Sequence, residues 1–257
     1  METKVAVITG SSSGIGLGIA REFAKAGYSV MMNGLEANGN EIAAQVAQEF
    51  GVKTLFSGAN MLQPDQISQM IRDTETAFGK IDVLVNNAGI QFVSPVEDFP
   101  AEKWNAIIGI NLSSAFYTTK AVFPGMKSRK FGRILNIASA HGLTASEFKS
   151  AYVASKHGIV GFSKVIALEG APHGITCNAI CPGYVKTPLV ENQIKDQAKS
   201  HGISESEVIQ KIMLYKQPIK DFVTVESLGA LCVFLATEHG SLITGTAIPV
   251  DGGWNAQ

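Results

Sequence analysis

The sequence predicts an α/β fold: a doubly wound parallel sheet of seven strands with helices on both faces. Three observations predict it. Short, β-branched and almost wholly apolar runs alternate with longer segments of helical period along the 257 residues, the pattern of strands covered on both faces. The first of these runs leads straight into a glycine-rich turn that opens a helix. Hydrophobic residues make up 46% of the chain and charged residues 17%, which supplies a large core and excludes a disordered chain.

Taken in order, strands are expected at residues 4–9, 28–33, 53–57, 81–86, 133–138, 175–180 and 246–250. Helices are expected at 15–26, 37–50, 64–78, 101–129, 151–169 and 225–236. This alternation implies right-handed crossovers and a parallel sheet. No linker or internal repeat interrupts it, so the chain reads as a single domain, residues 1–257. Segment 187–222 breaks the rhythm. It is long and polar, carries Glu191, Lys195, Asp196, Lys199, Glu205, Glu207 and Lys211, and reads as two short helices. It follows a strand's carboxyl end, beside the crevice where such sheets bind ligands. We read it as a helical substrate lid, with a plain surface excursion as the alternative.

With 21 Lys and Arg against 22 Asp and Glu, the net charge is -1. That argues against nucleic acid or an anionic membrane as the main partner. There is no apolar leader at the start, and no apolar run approaches the ~20 residues of a membrane span; a cytoplasmic protein is expected. Cys177, Cys181 and Cys232 form no CxxC pair and lack a His or third Cys at ligand spacing. They read as buried, reduced thiols, and no metal site is expected.

Residues 10–16 run Gly10-Ser-Ser12-Ser13-Gly14-Ile15-Gly16. Gly10 permits the sharp turn off the strand. Gly14 and Gly16 let backbone approach a pyrophosphate, which meets the free N–H groups and positive dipole of the following helix. Tyr152 and Lys156 are four apart in a helical segment, hence on one face. A phenol of pKa about 10 is a poor base at neutral pH, and a neighbouring ammonium favours its charged form. Taken alone, such a pair is an ordinary helix surface. Ser139, thirteen residues upstream, and the glycine turn change its meaning.

Several motifs occur together: the 10–16 turn, Asn86-Asn87-Ala88-Gly89, Asn111, Ser139, Tyr152-Val-Ala-Ser-Lys156, and Pro182-Gly183 with Thr187. In that combination the chain resembles the short-chain dehydrogenase/reductase family. The resemblance implies a Rossmann-type sheet of seven strands, a nicotinamide cofactor, alcohol–carbonyl chemistry and, commonly, a homotetramer. It implies cofactor contacts from Gly10, Ser12, Ser13, Gly14, Ile15, Gly16, Leu35, Asn60, Met61, Asn87, Ala88, Gly89, Tyr152, Lys156, Pro182, Gly183, Val185 and Thr187. It casts Tyr152 as general base, Lys156 as its electrostatic partner, Ser139 as donor to the reacting oxygen, and Asn111 as holder of a relay water. Two positions depart from the family pattern. The acid that reads the ribose 2′-OH is missing near Gly34, and Asn60 stands where an Asp commonly contacts adenine. Yet no Lys or Arg is in place to meet a 2′-phosphate, Glu36 would repel one, and Leu35 would crowd it. NAD is the expected cofactor.

Gln91, His141, Lys149 and Gln193 place one cation, two amides and an imidazole around the presumed hydride site, a set that suits a substrate carboxylate. The strings around these residues, with Trp254 in Val-Asp-Gly-Gly-Trp, resemble the branch of the family that oxidises D-3-hydroxybutyrate to acetoacetate. That resemblance implies carboxylate contacts from the four residues and a Trp254 that closes the pocket near the methyl end. Tyr184 replaces a Trp common there, which leaves longer 3-hydroxy acids open. A reductase acting on 3-oxoacyl carrier protein and a non-catalytic dinucleotide sensor are the alternatives.

Overall fold

Strand β1 (Val5–Ile8) shows why the predicted strands are apolar throughout. Side chains alternate across a strand, and here Ala6 and Ile8 enter one hydrophobic core while Val7 enters another. A strand with a core on each face has no position for a polar side chain to reach water. The computed structural model describes residues 3–256, the side chain of Leu189 excepted. Six further strands join β1: β2 (Ser29–Asn33), β3 (Thr54–Ser57), β4 (Val83–Asn86), β5 (Gly132–Ile137), β6 (Ile175–Pro182) and β7 (Ala247–Val250). The sheet order is β3-β2-β1-β4-β5-β6-β7, and every pair is parallel. The edge strands β3 and β7 are only half-buried.

One face is covered by α1 (Gly14–Lys25), α2 (Gly39–Phe50) and α9 (Val225–Ala236), whose Phe23, Val46 and Leu228 pack onto the sheet. The other is covered by α3 (Pro64–Phe78), α5 (Ser114–Arg129) and α6 (Ser150–Gly170), through Ile67, Met126 and Ile166. The order in which strands are added to the sheet reverses between β1 and β4, so the loops leaving these adjacent strands part to opposite faces. The crevice they leave is where sheets of this topology bind ligands.

Two elements differ from the sequence expectation. The single helix expected over 101–129 is divided into α4 (Ala101–Ile108), a π-helical turn (Gly109–Ser113) and α5. The wide turn contains Asn111, whose amide both accepts from the Ile90 N–H (2.8 Å) and donates to the Ile90 carbonyl (2.9 Å). Such bulges occur frequently at functional sites. Segment 187–222 does form helices, but the first is not short. α7 spans Pro188–His201, with Thr187 as N-cap, Pro188 in its first turn and Gly202 in the left-handed conformation at its end, start and stop signals that fix its length. A capping box of Ser204 and Glu207 opens α8 (Glu205–Glu207), which continues as a π-helical turn (Val208–Met213). Ile194, Val208, Met213 and Leu214 give the segment a small core, against which Tyr184 and Phe222 pack. A parallel bridge between Val185 and Val223 holds its entry and exit side by side.

Inside the sheet, the strands are less apolar than their composition implied. Asn86 of β4 donates to Asn136 of β5 (2.8 Å) and accepts from Thr118 of α5 (2.6 Å), while Asn136 donates to Ser163 of α6 (2.8 Å). These buried groups satisfy one another, as the interior requires, and tie four elements together directly beneath the crevice.

Candidate active site

The glycine turn stands at the carboxyl end of β1. Gly10 has φ +61°, and a Cβ there would meet the Cα of Ala88 at 2.9 Å, so the turn and the β4 loop pack too closely for any side chain. Asn87 secures the approach by donating to the carbonyls of Thr9 (3.0 Å) and Gly10 (2.9 Å); its amide serves the turn. The turn opens α1 with an N-cap, Ser13, that makes no side-chain cap hydrogen bond, and no acid lies in the first turn. The N–H groups and positive end of α1 are thus left for an anion, as a dinucleotide's pyrophosphate requires.

The missing acid at the end of β2 has a substitute. Glu36 lies two residues past Gly34 and folds back so that Ser12 of the turn donates to its carboxylate. This hydrogen bond holds the Glu36 pKa below its ordinary value. Gly34 permits the approach, since a Cβ would occupy the position of the Ser12 hydroxyl. A fixed anion therefore sits beside the glycine turn, just past the end of β2. Leu35 is exposed beside it. Asn60 accepts from the Leu62 N–H (2.9 Å), and Met61 is buried.

Across the crevice, Lys156, Tyr152 and Ser139 lie close together. Lys156 is buried in α6 and donates to the carbonyl of Ile137 at the end of β5 (2.7 Å). Burial lowers its pKa to about 8. Its Nζ stands 5.6 Å from the Tyr152 ring centroid. Ser139, two residues past Ile137, hydrogen-bonds the Tyr152 phenol and pulls its pKa down, but burial outweighs this and raises it above the ordinary value. The sequence reading expected the amine to lower the phenol pKa. In the structure desolvation is the larger effect for both groups, and the remaining stabilisation must come from positive charge in the crevice. Asn111 reaches Ser155, next to Lys156, at 3.3 Å.

The carboxylate candidates are brought together in part. His141 is buried, its ring edge-on to Tyr152 (6.0 Å) and to Trp254 (5.3 Å). Tyr184 stacks on Trp254 at 6.0 Å, so the two aromatics form one wall. Burial, then the positive charges of Lys149 and Lys216, lowers the His141 pKa to about 4; the ring is neutral at pH 7. Lys149 feels burial and then Lys216 in the same direction. Gln91, in the loop after β4, and Gln193, on α7, are both exposed. Both His141 ring nitrogens face hydroxyls, Ser139 at 3.5 Å and Ser146 at 2.9 Å. Sequence reasoning missed Ser146 and Lys216. Neither lies at a motif spacing, and only the folded loops bring them to the ring.

The family model for short chain dehydrogenases matches residues 4–198. The chain belongs to the short-chain dehydrogenases. Among curated members of that family, it is 53% identical to the D-beta-hydroxybutyrate dehydrogenase of Rhizobium meliloti (strain 1021), over 99% of this chain and 100% of that protein. It is 51% identical to the D-beta-hydroxybutyrate dehydrogenase of Cupriavidus necator, over 99% of this chain and 98% of that protein. Among solved structures of short-chain dehydrogenases, the L-sorbose reductase of Gluconobacter frateurii, complexed with NADPH and L-sorbose, superposes with a TM-score of 0.94 at 32% identity, covering 100% of this chain and 98% of that one.

The buried His141 predicts a pH dependence of stability. An unfolded histidine takes up a proton near pH 6.5, while the folded ring resists until about pH 4. The unfolded chain binds the extra proton within that window. The neutral ring's contribution is therefore complete above pH 6.5 and falls as pH drops toward 4. Chemical denaturation of His141→Gln is expected to show a shallower loss of stability between pH 6.5 and 4.5 than the parent chain.

Proposed function

We propose that this chain catalyses the reversible, NAD-dependent oxidation of D-3-hydroxybutyrate to acetoacetate. One observation carries the reading: the Tyr152 phenol, bonded to Ser139 and backed by the buried Lys156, stands beside a pocket that also holds His141, Trp254 and the positive charge of Lys149 and Lys216. A proton-transfer group is thus set against a cationic, aromatic-walled site that fits a short hydroxy acid. The likeness to two hydroxybutyrate dehydrogenases over nearly the whole chain supports the same substrate.

In this reading, NAD held along the glycine turn supplies the hydride acceptor. Tyr152 takes the hydroxyl proton as the C–H hydride leaves the same carbon, and returns it in the reverse direction. Ser139 donates to the reacting oxygen and stabilises its developing charge. Lys156 would hold the nicotinamide ribose, and Asn111 would hold a water that links Lys156 to solvent. Pro182, Gly183, Val185 and Thr187 would hold the nicotinamide carboxamide. Glu36 selects NAD over NADP. Lys149 binds the substrate carboxylate, with Gln91, His141 and Gln193 completing its shell. For Gln193 to do so, segment 187–222 closes as a lid over the single domain. Trp254 and Tyr184 line the methyl end.

The exposed Trp104, Phe116, Val165 and Leu168 of α4, α5 and α6 support a homotetramer formed through helix faces. The three free, buried thiols support the reducing cytoplasm. No helix among the described residues is long and apolar enough to cross a membrane.

The deciding experiment follows the reduced-nicotinamide absorbance band with NAD or NADP and each enantiomer of 3-hydroxybutyrate. Rapid reduction is expected only for NAD with the D acid. Comparable turnover of a 3-oxoacyl thioester with NADPH would overturn the assignment. Tyr152→Phe is expected to lower kcat by ~10²-fold or more while leaving NAD binding by fluorescence titration intact. Lys149→Ala should raise KM for hydroxybutyrate by about tenfold or more, the scale of one charge-assisted hydrogen bond. An unchanged KM would remove Lys149 from the carboxylate site.

A further inference from the structure

We infer that Lys216 is a second cationic specificity determinant for the substrate carboxylate, presented beside Trp254 from the anchored end of segment 187–222. This rests on the reading of the pocket as that of a short hydroxy acid, and it adds a residue to the acid-binding set that no motif supplies.

The Nζ of Lys216 stands 5.9 Å from the centroid of the Trp254 ring and 5.6 Å from that of Tyr215. Trp254 is edge-on to His141 at 5.3 Å, and His141 is edge-on to Tyr152 at 6.0 Å. A line of ring contacts thus leads from the ammonium to the phenol that transfers the proton. The backbone around Lys216 is fixed on both sides. Leu214 is fully buried in the small core of the segment. Gln217 is buried too, and its amide donates to the carbonyls of Ile219 and Asp221. The Ile219 N–H donates to the carbonyl of Gly252 at 3.0 Å, two residues before Trp254. The stretch that carries Lys216 is therefore tied to the stretch that carries the aromatic wall. Gln193, from α7 of the same segment, is exposed, whereas Lys216 is partly buried and already in place.

Its charge reaches the pocket. After burial, Lys216 is what holds the Lys149 pKa below its ordinary value, and after burial and Lys149 it helps lower that of His141 to about 4. Lys149 comes from the N-cap of α6 and Lys216 from the return of the lid segment, so the fold brings two like charges toward one imidazole that is neutral at pH 7. Like charges brought together are unfavourable, and such an arrangement is typical of a site that takes up the opposite charge. The anion of a hydroxy acid relieves the repulsion on both amines, and a neutral alcohol relieves neither. A carboxylate offers about four lone-pair sites on its two oxygens, enough for both ammonium groups together with His141.

Two substitutions in the full chain test this. Lys216→Met keeps the stem against Trp254 and Tyr215 and removes the charge; Lys216→Arg keeps the charge. With NAD and D-3-hydroxybutyrate, Lys216→Met is expected to raise KM about fivefold or more, the scale of a charge-assisted hydrogen bond at a partly buried site, with a much smaller change in kcat. Lys216→Arg should restore most of the loss. The kcat/KM of the parent should fall as salt rises from about 0.05 to 0.5 M, and less steeply in Lys216→Met, because the attraction is screened. A second readout needs no turnover. Butyrate, which lacks the reacting hydroxyl, is titrated calorimetrically into the NAD-saturated chain, and Lys216→Met should weaken its binding by a similar factor. Equal butyrate affinity in the parent and Lys216→Met would overturn the inference, as would a parent that binds no butyrate. A Lys216→Arg variant as weak as Lys216→Met would assign the loss to shape rather than charge and overturn it too. A chain that binds butyrate but does not oxidise hydroxybutyrate would refute the proposed function alone, and the butyrate comparison would still decide the role of Lys216.

Discussion

The site depends on one buried hydrogen bond, from the Lys156 ammonium to the carbonyl of Ile137. It joins α6 to the carboxyl end of β5 in the buried interior. Once that distance is set, the positions of the catalytic groups follow. Tyr152 lies one helical turn before Lys156 on the same face, and Ser139 lies two residues beyond Ile137, where the strand ends. The helix and the strand can bring their functional groups together only in this register. A charged donor in a dry interior is costly unless bonded, so the same bond that aligns the site also makes the lysine tolerable there.

Desolvation is also what tunes the groups. It pushes the Lys156 pKa to about 8 and raises that of Tyr152, so neither is in its most reactive state in the cofactor-free protein. Proton transfer then becomes favourable when positive charge enters the crevice beside the phenol. The same burial keeps His141 neutral and makes it a link between hydroxyls at neutral pH, with the positive charge of the pocket left to the lysines.

At the far end of the crevice, the acid that stands beside the glycine turn is not the one the family pattern would indicate. Glu36, beyond the end of β2, is tied to Ser12 of the glycine turn, and Gly34 makes room for that contact. The anion belongs to the phosphate turn as much as to the strand. Its position follows the turn, and any movement of the turn would carry it along.

By itself the sequence determined the sheet, the glycine turn, the helix pairing of Tyr152 with Lys156 and the family. Each of these is encoded within a short window: apolar runs of strand length, glycines at set intervals, side chains one turn apart. The caps that lengthen α7, Thr187 with Pro188 and later Gly202, are local chemistry, yet the sequence reading expected only two short helices there. The break at Asn111 was not legible, because it answers the backbone of Ile90, twenty-one residues away. The partners of the core asparagines, Asn86 and Asn136, on α5 and α6 were set only by the fold. The Glu36–Ser12 contact and the Ser146–His141–Ser139 chain were likewise decided only by tertiary structure. A hydroxyl or carboxylate binds whichever partner the folded chain brings within about 3 Å, and sequence distance carries no information about which one that is.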